Sequence, residues 1–394
     1  YLAMVLALAG DSTITSFWDM GLLVVSGLGD DPPPVYYRVA AKRLKVVSGA
    51  WVTVRRNVMG LTPRERVYRT LRFEPVDRVA RDVWTLPALY EGRREQVEAL
   101  LRQYPSDFGP SGYVDPVDES PLYEPGEWTD QWGSTWVNIQ RGMIGEVKRP
   151  AIQEWSELDH WQPPNWVLGK GFEQVNRTCA SHDRFVLLGL PRPFERLQFV
   201  RGPENVYHDL GWGVPEIFKL LEMIHEHYMA HLEHIVATDV DGISFMDDWG
   251  SAKSLLISPR MWAAYFKPLY RDYCDLAHAH GKAVFMHSDG YILDIYEHLI
   301  EIGVDAINSQ LFIMPIEEIG ERFKGRITFW GELDRQHVLP FGSPDDVRAA
   351  VQRVRDALGD EKDGGVIGQA EFNKDVSLEN MRAFFEAWWG EPES

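Results

Sequence analysis

The sequence predicts an α/β protein built as a single (β/α)8 barrel, and three observations lead there. Short apolar runs alternate with amphipathic helical stretches from about residue 79 onward. The runs are continuously apolar rather than alternating, as in a parallel sheet covered by helices. Most of them end in acids, amides or a histidine, often beside glycine. In such a barrel the strand ends converge on one mouth, where the chemistry takes place.

Taken in chain order, residues 1–58 hold apolar runs, a Pro-Pro-Pro at 32–34 and isolated basic residues, without a sustained helical or strand period. They are expected to form an unstructured N-terminal extension or upstream sequence outside the native domain, with a docked arm as the alternative. The domain is expected to start near Met59 and run to residue 394. Thr62 suits an N-cap, Pro63 the first helical position, and Glu65 completes a capping box. Strands are predicted at Phe185–Leu190, Gly242–Phe245, Ala283–Met286, Ala306–Ile307, Ile327–Trp330 and Gly365–Ile367. Helices are predicted at Pro215–Thr238, Pro259–His280 and Ser343–Leu358. The Pro- and Trp-rich stretch 117–168 reads as an elaborated loop with a small hairpin near Gln131–Val147.

Composition narrows the function. The chain has 394 residues, 45% of them hydrophobic, which is ample for a large core. A net charge of -19 argues against nucleic-acid and anionic-membrane partners, which reward basic patches. Cys179 and Cys274 form no CxxC pair, and a reducing cytoplasm fits. No run approaches the roughly 20 apolar residues of a membrane helix. The opening YLAMVLALAG lacks the basic flank of a signal peptide.

The candidate site follows from the strand ends. GISFM leads into Asp247-Asp248-Trp249-Gly250, and AVFM into His287-Ser288-Asp289-Gly290. DAI leads into Asn308-Ser309-Gln310, ITFW into Gly331-Glu332, and GGVIG into Gln369-Ala370-Glu371. His287 and Asp289, two apart in an extended segment, point to one side and can share an ion. With Glu371 they would form an N/O set for zinc or another divalent metal. The alternative is a His–Asp hydrogen-bonded pair without metal. Asp247, Asp248 and His287 are the catalytic candidates, one of the two acids being expected to cap a helix. Trp249, Gln310, Glu332 and Gln369 are expected to contact substrate. His227, His231 and His234 lie at helical spacing but miss HExxH, because Met229 stands in place of the second His. They are expected on a solvated helix face. His278 and His280 suit a last helical turn. Trp262, Trp330 and the Trp388-Trp389 pair are expected in the core or an interface.

These blocks resemble the uroporphyrinogen decarboxylase superfamily from about Met59 to Trp388. The likeness runs through LTPRERVYRTLRFEPVDRV, DQWGSTW, GMIGEVKRP, PFERLQFVRGPENVYHDL, DGISFMDDWGSAKSLLISPRMWAAYFKP and HAHGKAVFMHSDG. It continues in LIEIGVDAINSQ, FWGELDRQHVLPFGSPDDVR and SLENMRAFFEAW. The decarboxylases of that superfamily carry an Arg-rich stretch for the substrate's carboxylates. RDVWTLPALYEGRREQ stands there instead, without paired arginines. The methyltransferase branch uses His-x-Cys-Gly to hold zinc. Here Asp289 replaces the cysteine, and the later family Cys or His falls near Ala370 or Glu371. The resemblance therefore implies methyl transfer between a small methylated or methoxylated substrate and a corrinoid carried by a partner protein, with a homodimer as an allowed assembly. The alternatives are uroporphyrinogen-type decarboxylation and a non-catalytic barrel that binds a tetrapyrrole or corrinoid.

Overall fold

The computed structural model describes backbone strands at 13–17, 22–26, 35–40, 43–46 and 51–52, and residues 60–189 and 191–390. The chain divides into two compact units, Tyr1–Val58 and Met59–Ser394. In the first, β1 (Thr13–Phe17), β2 (Leu22–Ser26), β3 (Val35–Ala40), β4 (Arg43–Val46) and β5 (Trp51–Val52) pair antiparallel in sequence order. That regular meander differs from the aperiodic extension expected from the sequence.

The second unit opens with the capped helix Pro63–Leu71. The Thr62 hydroxyl accepts the Glu65 N–H, and the Glu65 carboxylate accepts the Thr62 N–H, so two otherwise unpaired donors are satisfied reciprocally. The chain then enters β6 (Ala80–Thr85). A small antiparallel sheet follows in the Trp-rich stretch: β7 (Gly126–Thr129), β8 (Thr135–Asn138) and β9 (Glu146–Arg149). It has one strand more than the expected hairpin.

The remaining strands are β10 (Leu187–Leu188), β11 (Gly242–Met246), β12 (Ala283–Ser288), β13 (Ala306–Ser309), β14 (Thr328–Trp330) and β15 (Val366–Phe372). With β6 they form a parallel sheet in the order β10-β11-β12-β13-β14-β15-β6. Among the described residues, the sheet has seven strands, without a regular eighth of the kind expected for the full barrel. Between β6 and β10 lies the segment 107–109: Asp107 N–H bonds to Arg81, Phe185 N–H to Asp107, and Gly109 N–H to Phe185. Phe108 and Phe185 make a single parallel bridge there. Phe108, Phe185, Phe285 and Trp330 pack edge-on or stacked between the strands, at centroid distances of 5.1–6.1 Å. Their rings, with Ala80, Ala306 and Ile367, make an interior core distinct from the larger one under the helices.

Most strands run further than the apolar pattern predicts. His287, Ser288, Asn308, Ser309, Gln369 and Glu371 lie within β12, β13 and β15 themselves. The ladder places Met246 beside His287 and His287 beside Asn308, so these strand ends finish level. The predicted helix Pro259–His280 is two helices, Pro259–Tyr265 and Lys267–Ala279. Pro268 has no N–H to give the preceding turn, which breaks the ladder at Phe266. No described helix is long and apolar enough to cross a membrane. Cys179 and Cys274 are buried and unbonded.

Candidate active site at the strand ends

The tandem acids after β11 part company. Asp247 is fully buried. Its carboxylate accepts the Phe194 and Glu195 N–H groups at 2.8 and 2.7 Å and the Tyr270 hydroxyl at 2.5 Å. It thus caps the helix Pro193–Arg201 from a neighbouring strand. Burial, followed by Glu195, pushes its pKa well up, while Tyr270 and the two N–H donors pull it back. Asp248 faces the mouth and accepts the Asp289 N–H at 2.8 Å. The pair expected to supply one cap and one functional acid therefore divides, with Asp248 as the acid in the mouth. Trp249 corrects the substrate-contact expectation: it is fully buried, stacks on Phe194 at 4.1 Å and donates to the Tyr270 hydroxyl. An indole so enclosed holds the loop rather than a ligand.

His287 is set by a relay across three strands. Asn308 donates its Nδ2 to the Trp330 carbonyl and to Gln369 Oε1. Those two acceptors fix the amide, so Asn308 Oδ1 must accept, and His287 Nδ1, 2.6 Å away, must donate. Neutral His287 then carries its lone pair on Nε2. Trp84 lies edge-on to the ring at 5.2 Å and limits its rotation. Nε2 stands 3.6 Å from Asp289 Oδ1 and 3.8 Å from Asp248 Oδ1. One ligand atom from each of Asp248, His287 and Asp289 lies within 4.8 Å of the others. Asp289 Oδ1 is buried and has no hydrogen-bond donor. One imidazole nitrogen and two carboxylate oxygens, one of them unsatisfied, fit a divalent cation.

The loops that carry the two acids are joined backbone to backbone. The Gly250 N–H donates to the Asp289 carbonyl at 3.1 Å. A Cβ on Gly250 would lie 2.4 Å from the Gly290 carbonyl carbon, and Gly290 has φ +84°, so both positions need glycine. Gln310 braces the same turn by accepting the Gly290 N–H at 3.1 Å. Gln369 is buried with Oε1 committed to Asn308. Both amides, expected to touch substrate, brace the residues around His287 and Asp289.

Glu371 does not join the group that could hold a metal; Asp248 takes that place. The reason is Arg335, which the sequence reading missed. Its guanidinium binds Asp289 Oδ2, lies 3.1 Å from Glu332 Oε1 and contacts Glu371 Oε1 at 2.9 Å. Burial alone would lower its pKa, but Glu332, Asp289 and Glu371 together raise it. The signal available was a lone cation three residues after Glu332 at a mouth full of acids. Glu332 is buried. Its Oε1 contact with Arg335 lacks hydrogen-bond alignment, and Oε2 has no partner. Burial pushes its pKa well up, against Arg335.

The helical histidine row is another correction. His227 is buried, with Nδ1 3.0 Å from Asn165 Oδ1 and its ring edge-on to Trp132 at 4.9 Å, while His234 is exposed. The stretch 117–168 folds over this face, which helical spacing alone leaves open to solvent. His278, by contrast, sits in the last turn of its helix as expected, bonded to Asp305 at 2.9 Å.

Comparison with known proteins gives three matches. A family model described as uroporphyrinogen decarboxylase (URO-D) matches residues 135–389. The chain is 24% identical over 317 residues to the methylcobamide:CoM methyltransferase MtbA of Methanosarcina mazei, spanning 75% of this chain and 89% of that protein. A solved methyltransferase from Methanosarcina mazei superposes with a TM-score of 0.60 at 16% identity, over 83% of this chain and 98% of that one, so the two share a fold.

Proposed function

The chain belongs to the uroporphyrinogen decarboxylase family, and from that premise we propose that it is a methyltransferase, moving a methyl group between a small methylated or methoxylated compound and a corrinoid carried by a partner protein. One observation carries the reading: the His287 Nε2 lone pair is turned toward Asp248 and Asp289, beside an Asp289 oxygen that no protein donor satisfies. The likeness to a methylcobamide:CoM methyltransferase supports the same reaction class.

Asp248, His287 and Asp289 would hold zinc or another divalent ion, which would supply Lewis acidity toward the methyl-bearing heteroatom. The chain's own residues do the rest. Asn308 keeps the imidazole proton on Nδ1, and Trp84 keeps the ring in plane with the site. Arg335 offsets the charge of Asp289, Glu332 and Glu371, so the mouth does not hold mutually repelling acids uncompensated. When the methyl leaves, the heteroatom keeps the bonding pair and takes its proton from solvent, because Asp248, as a ligand, would be ionised.

Decarboxylation of a porphyrinogen draws less support. Such a substrate brings many carboxylates and needs cations to meet them, whereas Arg335 is already committed to three.

Calorimetric titration of metal-stripped protein with zinc and with manganese tests the ligand set. Asp289→Asn should weaken both ions by about tenfold or more, and Asp289→Cys should shift the preference toward zinc. Equal affinities in the parent and both variants would remove Asp289 from the metal shell. The reaction itself is read from the absorbance of methylcobalamin and cobalamin. A loaded protein that neither methylates nor demethylates the corrinoid would sink methyl transfer.

A further inference from the structure

Apart from the strand-end cluster, a cavity of about 180 Å³ lies between the excursion that carries β7–β9 and the helices Pro193–Arg201 and Pro215–Val236. Tyr113, Trp128, Trp136 and Tyr228 contribute aromatic wall, and Asp115 and Glu119 stand at its rim. Among the described residues, none of Asp248, His287 and Asp289 lines it. Arg192 connects the two places: it lines the cavity, and its guanidinium reaches Met246 Sδ, at the end of β11, at 3.1 Å.

The charges of the wall do not cancel. Asp130 pairs with Arg196 at 3.4 Å and also accepts from the Trp132 and Ser134 N–H groups and the Trp136 indole. Arg192 is faced by Glu195 at 3.9 Å. Burial lowers the pKa of His227 to about 4 and lowers that of His231, so neither ring adds charge near pH 7. Asp115 and Glu119 are left without a salt-bridged cation among the described residues. Burial and then Asp115 raise the pKa of Glu119, against Arg192 and Arg196, neither of which reaches it as a salt bridge. Gln131 Oε1 and His231 Nδ1 are buried without a partner. The wall already solvates one cation with rings: the Arg196 guanidinium lies 4.5 Å from the Trp132 centroid and 5.3 Å from Phe199.

We propose that this cavity binds a small organic cation of the methylated-ammonium class, with its methyl groups against the Trp128 and Trp136 rings and its charge toward Glu119 and Asp115. The binding of this cation does not depend on the methyl-transfer reading above. An N-methyl group carries positive charge on a surface that donates no strong hydrogen bond, so ring faces and carboxylates stabilise it where water does so poorly. An anion is disfavoured by the two rim carboxylates, and a neutral molecule of the same shape gains only burial of its apolar surface.

The test is equilibrium binding to the full chain, with no methyl acceptor present. By calorimetry, choline should bind, and its uncharged isostere 3,3-dimethyl-1-butanol should bind at least about tenfold more weakly. Glu119→Gln and Trp128→Ala should each weaken choline about fivefold to tenfold, both being partly exposed positions whose change spares the core. His287→Ala should leave choline affinity unchanged while abolishing metal uptake, which separates this site from the strand-end cluster. Equal binding of choline and the alcohol, or no effect of Glu119→Gln, would overturn the proposal. So would the absence of choline binding at millimolar concentration. If choline binds as expected while the corrinoid assay above shows no methyl transfer, the methyl-transfer reading fails and the cation site stands.

Discussion

The two ends of the parallel sheet hold similar numbers of carboxylates and treat them in opposite ways. At the N-terminal ends, an aspartate stands directly before the bridge segment, before β11 and before β13. Asp107 accepts from Arg66 at 2.5 Å, Arg78 at 2.7 Å and the Arg81 N–H at 2.7 Å. Asp241 accepts from Arg64, the Tyr68 hydroxyl and the Val186 N–H. Asp305 accepts from His278 and the Val284 N–H. Each staples a helix or loop to a strand and leaves little unsatisfied. At the C-terminal ends, Asp248, Asp289, Glu332 and Glu371 share the mouth with Arg335, and oxygens of Asp289 and Glu332 are buried without a donor. Unsatisfied polar atoms cost stability, so one end is built to hold and the other to bind.

Breaking the N-terminal end should produce the largest effect. Asp107→Ala leaves Arg78 without its carboxylate and Arg66 with Asp77 alone, around a fully buried position, and should cost about 3–5 kcal/mol in urea unfolding. A loss under about 1 kcal/mol would show that the staple is ornamental and the comparison false. His287→Ala tests the other end. It should cut methyl transfer at least about a hundredfold, while changing unfolding free energy by no more than about 1 kcal/mol. Comparable activity in parent and variant would move the chemistry elsewhere.

A pH series sharpens the contrast. Burial holds the Glu332 pKa well above the ordinary carboxylate range, with Arg335 opposing. A raised folded pKa means that the folded state is favoured while the group is protonated and loses that advantage as pH climbs through the folded value. In metal-free protein, Glu332→Gln should therefore gain stability over the parent at about pH 8, and the gain should vanish below about pH 4. A pH-independent difference between the two would contradict it. The smallest effect belongs to residues 1–58. Because the chain divides at Val58 and Met59, their removal should leave the Tm of the second unit nearly unchanged. A fall of many degrees would show that they support it.

Much of this was legible in local sequence because local physics produced it. The Thr62–Glu65 capping box needs four residues, and the apolar runs of β11 to β15 announce themselves. His287 and Asp289 share a face because strand periodicity requires it. What was hidden depends on distance along the chain. Arg335 meets Asp289 and Glu371 across 46 and 36 residues, so nothing near it reveals that it takes Glu371 out of the ligand set. Helical spacing shows His227 and His231 on one face but not that Trp132 and Asn165 will cover the first. The expected barrel was legible as six of its seven parallel strands; β6, whose Arg81 and Asp82 interrupt any apolar run, was not. The eighth position was not, since three residues with one bridge leave no periodic trace.

That eighth position has a consequence for how the molecule breathes. Segment 107–109 is held by three backbone hydrogen bonds and by the rings of Phe108, Phe185, Phe285 and Trp330 that meet behind it. Its neighbours are zipped by ladders. Amide protons along this seam should accordingly trade with deuterium sooner than those of β11 and β12, while the ring cluster keeps its packing. The chain also leaves the sheet here to build its longest excursion, which therefore hangs from the line expected to open first.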